Sequence, residues 1–428
     1  MQHAIPSELM NEIFHSFRLL SPIRDRQLHD FSLICRSWTR PARAIIFHRV
    51  VLTSVERTET FVHLLSNSHQ TISGGIRDLS VMKGDILECL TRGIVDLDAE
   101  AFLPHLQKLL IHRVSWGALS SIVRSALCNS ATFGSISVLE LSRSTFDTFG
   151  EYWSFLHSFT NIHTLLMKDI AIPFDQLTSV GLPKPAPLQL KVVKWMLTYG
   201  IAESDSAREW LDNIPLAVNS LLRDCGAHLD EFFLSIDERS TSSTQESRIK
   251  SILSKLDMTR NTSLRRIAVS TAIGRAKPTP DFLCDFLRNL TQIPYESTPR
   301  LQHLEFSYLN NHQSKLTADL EALDSILQHE SFSSLETVIC GTFRCFFHVS
   351  DFHKYTTINW SDPAETGFKE VDDLRRRFSH CNSRGIFRPI MEPAFYYNHD
   401  EEWKSDESDG SWESNWESSE DWDENVDQ

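Results

Sequence analysis

The sequence lacks any run of about 18 apolar residues, the length that a membrane-spanning helix needs. It also lacks an apolar N-terminal stretch, because Glu8 and Glu12 lie where the core of a signal peptide would be. Its eight cysteines are scattered over 428 residues, and none belongs to a C-x-x-C pair. The scattered cysteines favour free thiols in a reducing compartment. Together with the missing membrane span and signal peptide, they lead us to expect a cytoplasmic or nuclear protein.

Motifs that would indicate catalysis are missing as well. The chain contains no Walker-type phosphate loop, no G-x-G-x-x-G, no G-x-S-x-G and no H-E-x-x-H. Cys340, Cys345 and His348 have C-x4-C-x2-H spacing, but buried thiols and a surface histidine explain this better than a zinc site does. We therefore predict a protein that is not an enzyme and that uses no cofactor or metal.

The negative charge is concentrated at the C-terminus. The whole chain has a net charge of -15, and residues 400–428 alone hold 13 acidic residues and one basic residue. The rest of the chain is almost neutral, which argues against general nucleic-acid binding. The tail composition predicts disorder, and Trp403, Trp412, Trp416 and Trp422 interrupt it. Such a segment is either a passive tail or an interaction segment for a basic partner.

Between residues 53 and 345 the chain repeats a short apolar pattern. An apolar residue is followed after three and five positions by two more, and the starts are 26–39 residues apart. The nine segments are Ile76/Leu79/Val81, Leu106/Leu109/Ile111, Ile136/Leu139/Leu141, Ile162/Leu165/Met167, Leu190/Val193/Trp195, Leu229/Phe232/Leu234, Leu264/Ile267/Val269, Leu301/Leu304/Phe306 and Leu335/Val338/Cys340. A fixed pattern at this period is typical of a solenoid of strands and return helices.

Helical patterns separate most of these segments. We predict helices over 54–66, 116–127, 151–159, 206–225, 246–257, 279–292 and 316–329. The repeats resemble leucine-rich repeats of an irregular kind, so the expected fold class is α/β. The Asn or Cys expected after the last apolar position is absent, and Gly84, Val114, Ser144, Ile170 and Leu309 occupy that place. We expect an interruption near 181–187, and the rival fold is a set of unrelated α/β elements.

Residues that flank the core positions of each predicted strand point to the opposite, concave side of such a solenoid. They are mixed in charge and partly apolar, a composition that suits a protein partner better than a phosphate backbone. The predicted target-binding residues on this side are Lys108, His112, Glu140, Lys168, Lys194, Arg266 and Glu305. The alternative is that neighbouring chain covers some of them.

The apolar spacing in residues 1–52 predicts three short amphipathic helices followed by a strand at 50–52. The stretches I-P-x-E-L-x-x-x-I-F from Ile5 and S-L-I-C-R-S-W-x-x-x-A-R from Ser32 resemble an F-box of the divergent fungal type. The resemblance covers about 48 residues, and it implies docking to the Skp adaptor of a Skp–cullin–F-box ubiquitin ligase. The adaptor contacts that it implies are Pro6, Leu9, Ile13, Leu33, Cys35 and Trp38. The alternative is that these residues form the core of a plain helical cap.

The sequence thus predicts four regions: an F-box-like domain (1–52), a leucine-rich-repeat-like solenoid (53–345), a capping region (346–399) and an acidic tail (400–428). The function that the F-box resemblance implies is substrate recognition for a ubiquitin ligase, with the adaptor, and through it a cullin, as partners. The first alternative is an interaction scaffold without a ligase role. A further alternative, which depends on the tail alone, is a regulator of basic nuclear proteins.

Overall fold

The computed structural model describes Leu33 and residues 36–66, 73–96, 103–128, 134–172, 187–199, 205–238, 252–273, 281–293, 299–310, 320–344 and 372–390. Several predictions fall outside these described residues. They are the adaptor contacts Pro6, Leu9, Ile13 and Cys35, the interruption at 181–186 and the acidic tail.

In the described residues, eleven strands form one sheet whose strand order follows the chain. Every neighbouring pair is parallel. The strands are β1 (Arg49–Leu52), β2 (Asp78–Val81), β3 (Lys108–His112), β4 (Val138–Ser142), β5 (Thr164–Lys168), β6 (Val192–Tyr199), β7 (Glu231–Glu238), β8 (Arg266–Ile273), β9 (His303–Asn310), β10 (Thr337–Arg344) and β11 (Phe387–Ile390).

Helices supply many of the return connections that parallel strands need, and one further helix precedes the first strand. They are α1 (Arg36–Ile46), α2 (Val55–Ser66), α3 (Gly84–Asp96), α4 (Ser121–Leu127), α5 (Phe149–His157), α6 (Asp205–Cys225), α7 (Asp281–Thr291), α8 (Leu320–Ile326) and α9 (Ser379–Ser383). Helices of successive repeats contact each other, as α2 does α3 and α3 does α4. Crossovers of one hand place all helices on one face of a sheet that grows in one direction. This repeating parallel sheet fits a leucine-rich-repeat-like solenoid.

The nine apolar segments all lie where the sequence pattern predicts them. Each supplies one buried residue before a strand and two within it, in β2 to β10. All three apolar positions of all nine segments are at most 4% exposed. The pattern therefore identifies both the strands and the face of the sheet that packs against the helices.

Backbone hydrogen bonds join the repeats at the amino-terminal edge of the sheet. One carbonyl just before each strand from β1 to β9 accepts two N–H groups from the next repeat. Asp230 shows the arrangement, since its carbonyl accepts the N–H groups of Arg265 at 2.8 Å and Arg266 at 3.1 Å. The other carbonyls in this series are those of His48, Arg77, Gln107, Ser137, His163, Lys191, Arg265 and Gln302. The register between repeats is thus fixed independently of side-chain type.

Three consecutive repeats turn a corner directly after their strands. Arg113, Arg143 and Asp169 have φ values of 53°, 50° and 53°, in the left-handed region that side chains disfavour. Their N–H groups donate to the carbonyls of Ser142, Lys168 and Met196 at 2.9, 2.7 and 2.9 Å. These bonds to the next strand stabilise the strained corner.

The helices differ from the sequence expectation at two places. The predicted helix 116–127 is divided into a 3-10 turn (Trp116–Ala118) and α4. The helix α3 was not predicted, although its Ile86, Leu90 and Ile94 are buried at i, i+4 spacing. Of the predicted helix 246–257, the described residues contain the helical stretch 252–254.

The ends of the sheet extend beyond the predicted solenoid. At the start, β1 pairs with β2, so residues 49–52 of the predicted F-box-like domain belong to the sheet. At the other end, β11 pairs with β10, so the predicted capping region contributes an eleventh strand. None of the helices in the described part of the chain has the length and apolar character that a membrane span requires.

Candidate functional site

The sheet has one face that the helices do not cover. Along β3 and β5, half-buried residues alternate with buried ones, as expected when one face packs on the core. All seven predicted target-binding residues occupy the half-buried positions of their strands. We refer to this surface as the open face.

The strand register arranges the open face in rows that run across the strands. The first row contains Asp78, Lys108, Val138, Thr164, Val192, Glu231, Arg266, His303 and Thr337. The middle row contains Ser80, Leu110, Glu140, Leu166, Lys194, Phe233, Ala268, Glu305 and Ile339. The last row contains His112, Ser142, Lys168, Met196, Ser235, Ser270, Ser307, Gly341 and Ile390.

Two of the predicted residues form an ion pair on neighbouring strands. The Lys108 ammonium lies 2.7 Å from the Glu140 carboxylate, between β3 and β4. Both side chains are partly exposed, so the pair contributes little to stability, about 0–1 kcal/mol. Its effect is to fix the charge pattern that a partner would meet.

A second group of predicted residues surrounds Phe233 on β7. The guanidinium of Arg266 lies 2.9 Å from the Glu305 carboxylate and 3.8 Å from that of Glu231. The Lys194 ammonium lies 4.6 Å from the centre of the Phe233 ring, and the Arg266 guanidinium carbon 4.9 Å from it. Cations at this distance from an aromatic ring are attracted by its π electrons. Three strands thus hold Lys194, Phe233 and Arg266 in one cluster.

A cavity of about 500 Å³ lies beside this cluster, at the amino-terminal ends of β7 to β10. Acidic, basic and amide side chains line it, among them Glu231, Arg265, Arg266, Gln302, His303 and Glu305. Polar groups of both charge signs in a recess suit a protein or peptide side chain that makes several hydrogen bonds. The cavity enlarges the surface available next to Phe233.

His112 and Lys168 lie in the last row, and Lys168 is on the strand next to the one that carries Lys194. Met196 occupies the neighbouring place in that row and is 42% exposed. Phe233, Glu231 and Met196 also flank core positions of their strands, but they are not among the predicted target-binding residues. Each of the three is apolar or acidic and lies beside a lysine or arginine on an adjacent strand. This neighbourhood can be recognised only when the strand register is known.

Two predicted adaptor contacts lie in the described residues. Leu33 is 68% exposed and is one of six large apolar side chains that are exposed among the described residues. Trp38 is partly buried on α1 and packs with Ile45 and Ile46 around the buried Ala42. This small cluster is separate from the main core, which runs from Leu52 to Phe387.

The described residues contain no group of three His, Cys, Asp or Glu side chains that could hold a metal ion. Cys340 and Cys381 are buried, whereas Cys345 and His348 lie outside the described residues. Burial and the neighbouring Asp324 raise the pKa of the Cys381 thiol to about 12, which disfavours the reactive thiolate.

Comparisons with known proteins identify no family. No protein-family model matches the chain, and no curated protein is detectably similar to it. Among solved structures, the chain is similar to the crystal structure of the Rad7 and Elc1 complex in yeast, at 12% sequence identity and a TM-score of 0.31. The similarity covers 78% of this chain and 81% of the other. A TM-score this low does not establish a shared fold, so the fold assignment depends on the sheet and its repeats.

Proposed function

We propose that the chain is a non-catalytic substrate-recognition subunit of a Skp–cullin–F-box ubiquitin ligase. Its F-box-like N-terminal segment docks the Skp adaptor, and its open face holds a target protein. The ligase then brings a ubiquitin-charged enzyme close to the target, so the contribution of this chain is to raise an effective concentration. The proposal combines the F-box resemblance of the sequence with the arrangement of the sheet.

The observation that carries the proposal is the open face itself. Across the strands it presents charged, polar and apolar side chains in fixed rows, with Phe233 and Arg266 in a central cluster. Aromatic and arginine side chains are enriched at the centres of protein–protein interfaces. A surface of this composition suits a folded protein or a peptide.

The junction between α1 and β1 supports a ligase role. The helix ends at Ile46 and the strand begins at Arg49. A Cβ atom placed on Gly75 would lie 2.9 Å from the Ala44 Cα, so α1 packs directly against the start of the second repeat. A protein bound to the open face is therefore held at a fixed place relative to α1, as positioning of a target requires.

A second candidate function is an interaction scaffold without a ligase role. It uses the same open face and needs no adaptor. Adaptor binding distinguishes the two functions, because a ligase subunit needs an adaptor-docking surface in the F-box-like segment and a scaffold does not.

Co-purification with a Skp-type adaptor tests the proposal. The full chain and its Leu33→Asp variant are each mixed with the adaptor at about 10 µM and analysed by gel filtration, since a specific docking site binds at this concentration. The wild type should co-elute with the adaptor, and Leu33→Asp should weaken binding by about 2 kcal/mol or more if Leu33 is an anchor.

Ile122→Asp is the matched control for this experiment. Ile122 is 65% exposed, close to the value for Leu33, but it lies on α4. It should bind the adaptor like the wild type. A wild-type chain that elutes without the adaptor would contradict the ligase function and leave the scaffold function.

A further inference from the structure

A basic and apolar patch lies near the middle of the open face. It consists of Leu166 and Lys168 on β5, Lys194 and Met196 on β6, and Phe233 on β7. Leu166 is in register with Lys194, and Lys168 with Met196, so the two lysines lie diagonally across adjacent strands. We refer to these five residues as the central patch.

The carboxylates of the neighbouring strands are already engaged by other cations. Glu140 pairs with Lys108, while Glu231 and Glu305 lie next to Arg266. Among the described residues, no carboxylate lies within ion-pair distance of Lys168 or Lys194. The central patch therefore carries two lysine charges without a described acidic partner, beside a methionine that is 42% exposed.

A ligand for this surface should combine acidic and aromatic side chains. Carboxylates would pair with Lys168 and Lys194, and aromatic rings would cover Met196 and the edge of Phe233. The chain contains such a segment, residues 400–428, with 13 acidic residues, one basic residue and four tryptophans. Trp412-Glu413-Ser414 and Trp416-Glu417-Ser418 repeat the aromatic–acidic combination within it.

The sheet register connects the end of the described chain with the central patch. Ile390, the last residue of β11, is in register with Gly341 of β10. The same row continues through Ser307, Ser270 and Ser235 to Met196 and then Lys168. The described chain thus ends in the row that contains Lys168, and small residues separate the two places.

The distances allow the C-terminal segment to reach the central patch. Five strand spacings separate β11 from β6, a distance of about 24 Å, since adjacent strands lie about 4.8 Å apart. Residues 391–402 precede Trp403, and twelve residues span up to about 40 Å when extended. The tryptophans and most of the acidic residues therefore follow a connection that is long enough.

We propose that residues 400–428 bind the central patch of the same chain, with their carboxylates on Lys168 and Lys194 and their tryptophans on Met196 and Phe233. The bound segment covers the part of the open face that would otherwise take a target. Competition between the C-terminal segment and a target protein rests on the proposed function, whereas binding of the segment to the central patch does not. Binding of the adaptor, which depends on Leu33, is expected to be the same with the segment bound or released.

Limited proteolysis of the full chain tests this binding. A glutamate-specific protease has seven cleavage sites in residues 400–428. The protease cuts a molecule only while this segment is released from the central patch, so the cleavage rate reports the released fraction. We expect the Lys168→Glu/Lys194→Glu variant to lose its C-terminal segment about 5-fold faster or more than the wild type. Raising NaCl to about 0.5 M should accelerate cleavage of the wild type, because salt screens the lysine–carboxylate attraction.

Lys83→Glu/Lys255→Glu is the matched control. Both lysines are exposed and lie outside β5 and β6, and the change in net charge is the same. This control should be cut at the wild-type rate. Equal rates for the wild type and Lys168→Glu/Lys194→Glu would overturn the proposal.

Two further measurements keep the result unambiguous. Trp412→Ser/Trp416→Ser changes no residue of the described sheet and should also accelerate cleavage, so the test does not depend on the folding of the lysine variant. The wild-type rate should stay constant on tenfold dilution. A rate that rises on dilution would show that the segment binds a second copy, and this would overturn binding within one chain.

Discussion

The carboxylate of Asp324 accepts a hydrogen bond from the backbone N–H of Cys381 at 2.9 Å, although the two residues are 57 positions apart. It also accepts the backbone N–H of His380 at 2.8 Å and lies 2.9 Å from the His380 Nδ1. Asp324 belongs to α8, and the two N–H groups belong to the first turn of α9. A side chain of one helix thus caps the amino terminus of another and ties the last strand region to the solenoid.

We predict that Asp324→Ala destabilises the protein by about 1–3 kcal/mol, because two N–H groups lose a buried charged acceptor. Asp324→Asn keeps one acceptor oxygen and should lose less. Urea unfolding monitored by circular dichroism measures both changes. If Asp324→Ala unfolds at the wild-type urea concentration, the link between α8 and α9 contributes nothing to stability.

The same carboxylate predicts a dependence of stability on pH. Burial by itself would raise the pKa of Asp324, but the hydrogen bonds from His380 and Cys381 outweigh it and hold the pKa below the ordinary value of 3.8. The stabilisation is complete above the unfolded-state pKa and is lost as the pH falls through the lower native pKa. Between about pH 5 and pH 3 the wild type should therefore lose more free energy of unfolding than Asp324→Asn does.

Asn261 is the second buried residue whose loss we expect to be severe. It is fully buried, and its side-chain amide donates to the carbonyls of Leu222 at 2.8 Å and Gly226 at 3.0 Å. Both carbonyls lie at the carboxyl end of α6, where helices leave their last acceptors unpaired. Asn261→Ala should destabilise the protein by about 2–3 kcal/mol.

Asn289→Ala is the natural control for Asn261→Ala. Its amide makes one hydrogen bond, to the Ser254 carbonyl at 2.9 Å, and it is half-buried. We expect a loss within about 1 kcal/mol in thermal unfolding. Similar losses at Asn261 and Asn289 would show that the cap on α6 is not the decisive contact.

The sequence predicts which residues form the core of this fold better than it predicts the side-chain contacts between repeats. Each of the nine apolar segments places three side chains in the core, so spacing alone identifies strand and face. The helix α3 is not among the predicted helices, because Gly84 and Gly93 lower its helix propensity although its apolar spacing is regular. The cap by Asp324 could not be predicted, because no local pattern relates residues 57 positions apart.

The open face shows the same division. Alternation within a strand predicts that Lys194 and Arg266 lie on one face, and the structure places both there. Their common contact with Phe233 depends on the register of β6, β7 and β8, which long return segments separate. The missing asparagine of the repeat is replaced at one place by Ser144, whose hydroxyl accepts the N–H of Val114 at 3.3 Å.

A close approach between two helices makes Gly93 sensitive to substitution. A Cβ atom on Gly93 of α3 would lie 2.6 Å from the Val62 Cγ1 of α2. Valine is stiff at χ1, so it cannot swing away easily. Gly93→Ala should destabilise the protein by about 1–3 kcal/mol despite the better helix propensity of alanine.

Gly150→Ala separates the effect of this contact from helix propensity. The nearest atom to its new Cβ would be the Thr148 Oγ1 at 3.8 Å, an ordinary contact. Gly150 lies in α5, so alanine should stabilise the protein by up to about 1 kcal/mol. Opposite signs for the two variants in thermal unfolding are the expected result, and a stabilising Gly93→Ala would contradict the packing of α2 on α3.

The ion pair of Arg266 with Glu305 should show measurable coupling because the aromatic ring of Phe233 also holds the guanidinium. The side chains are 37% and 26% exposed, so solvent screens the pair in part. A double-mutant cycle of Arg266→Met and Glu305→Gln should give a coupling of about 0.5–1 kcal/mol that falls as salt is raised. The exposed pair of Arg288 and Asp285, at 3.0 Å within α7, should give about 0.5 kcal/mol or less.

Phe233→Leu tests the role of the aromatic ring in this coupling. The substitution should lower the coupling of Arg266 with Glu305 and leave that of the α7 pair unchanged. An equal coupling of Arg266 with Glu305 in the wild type and in Phe233→Leu would mean that the ring does not orient the guanidinium.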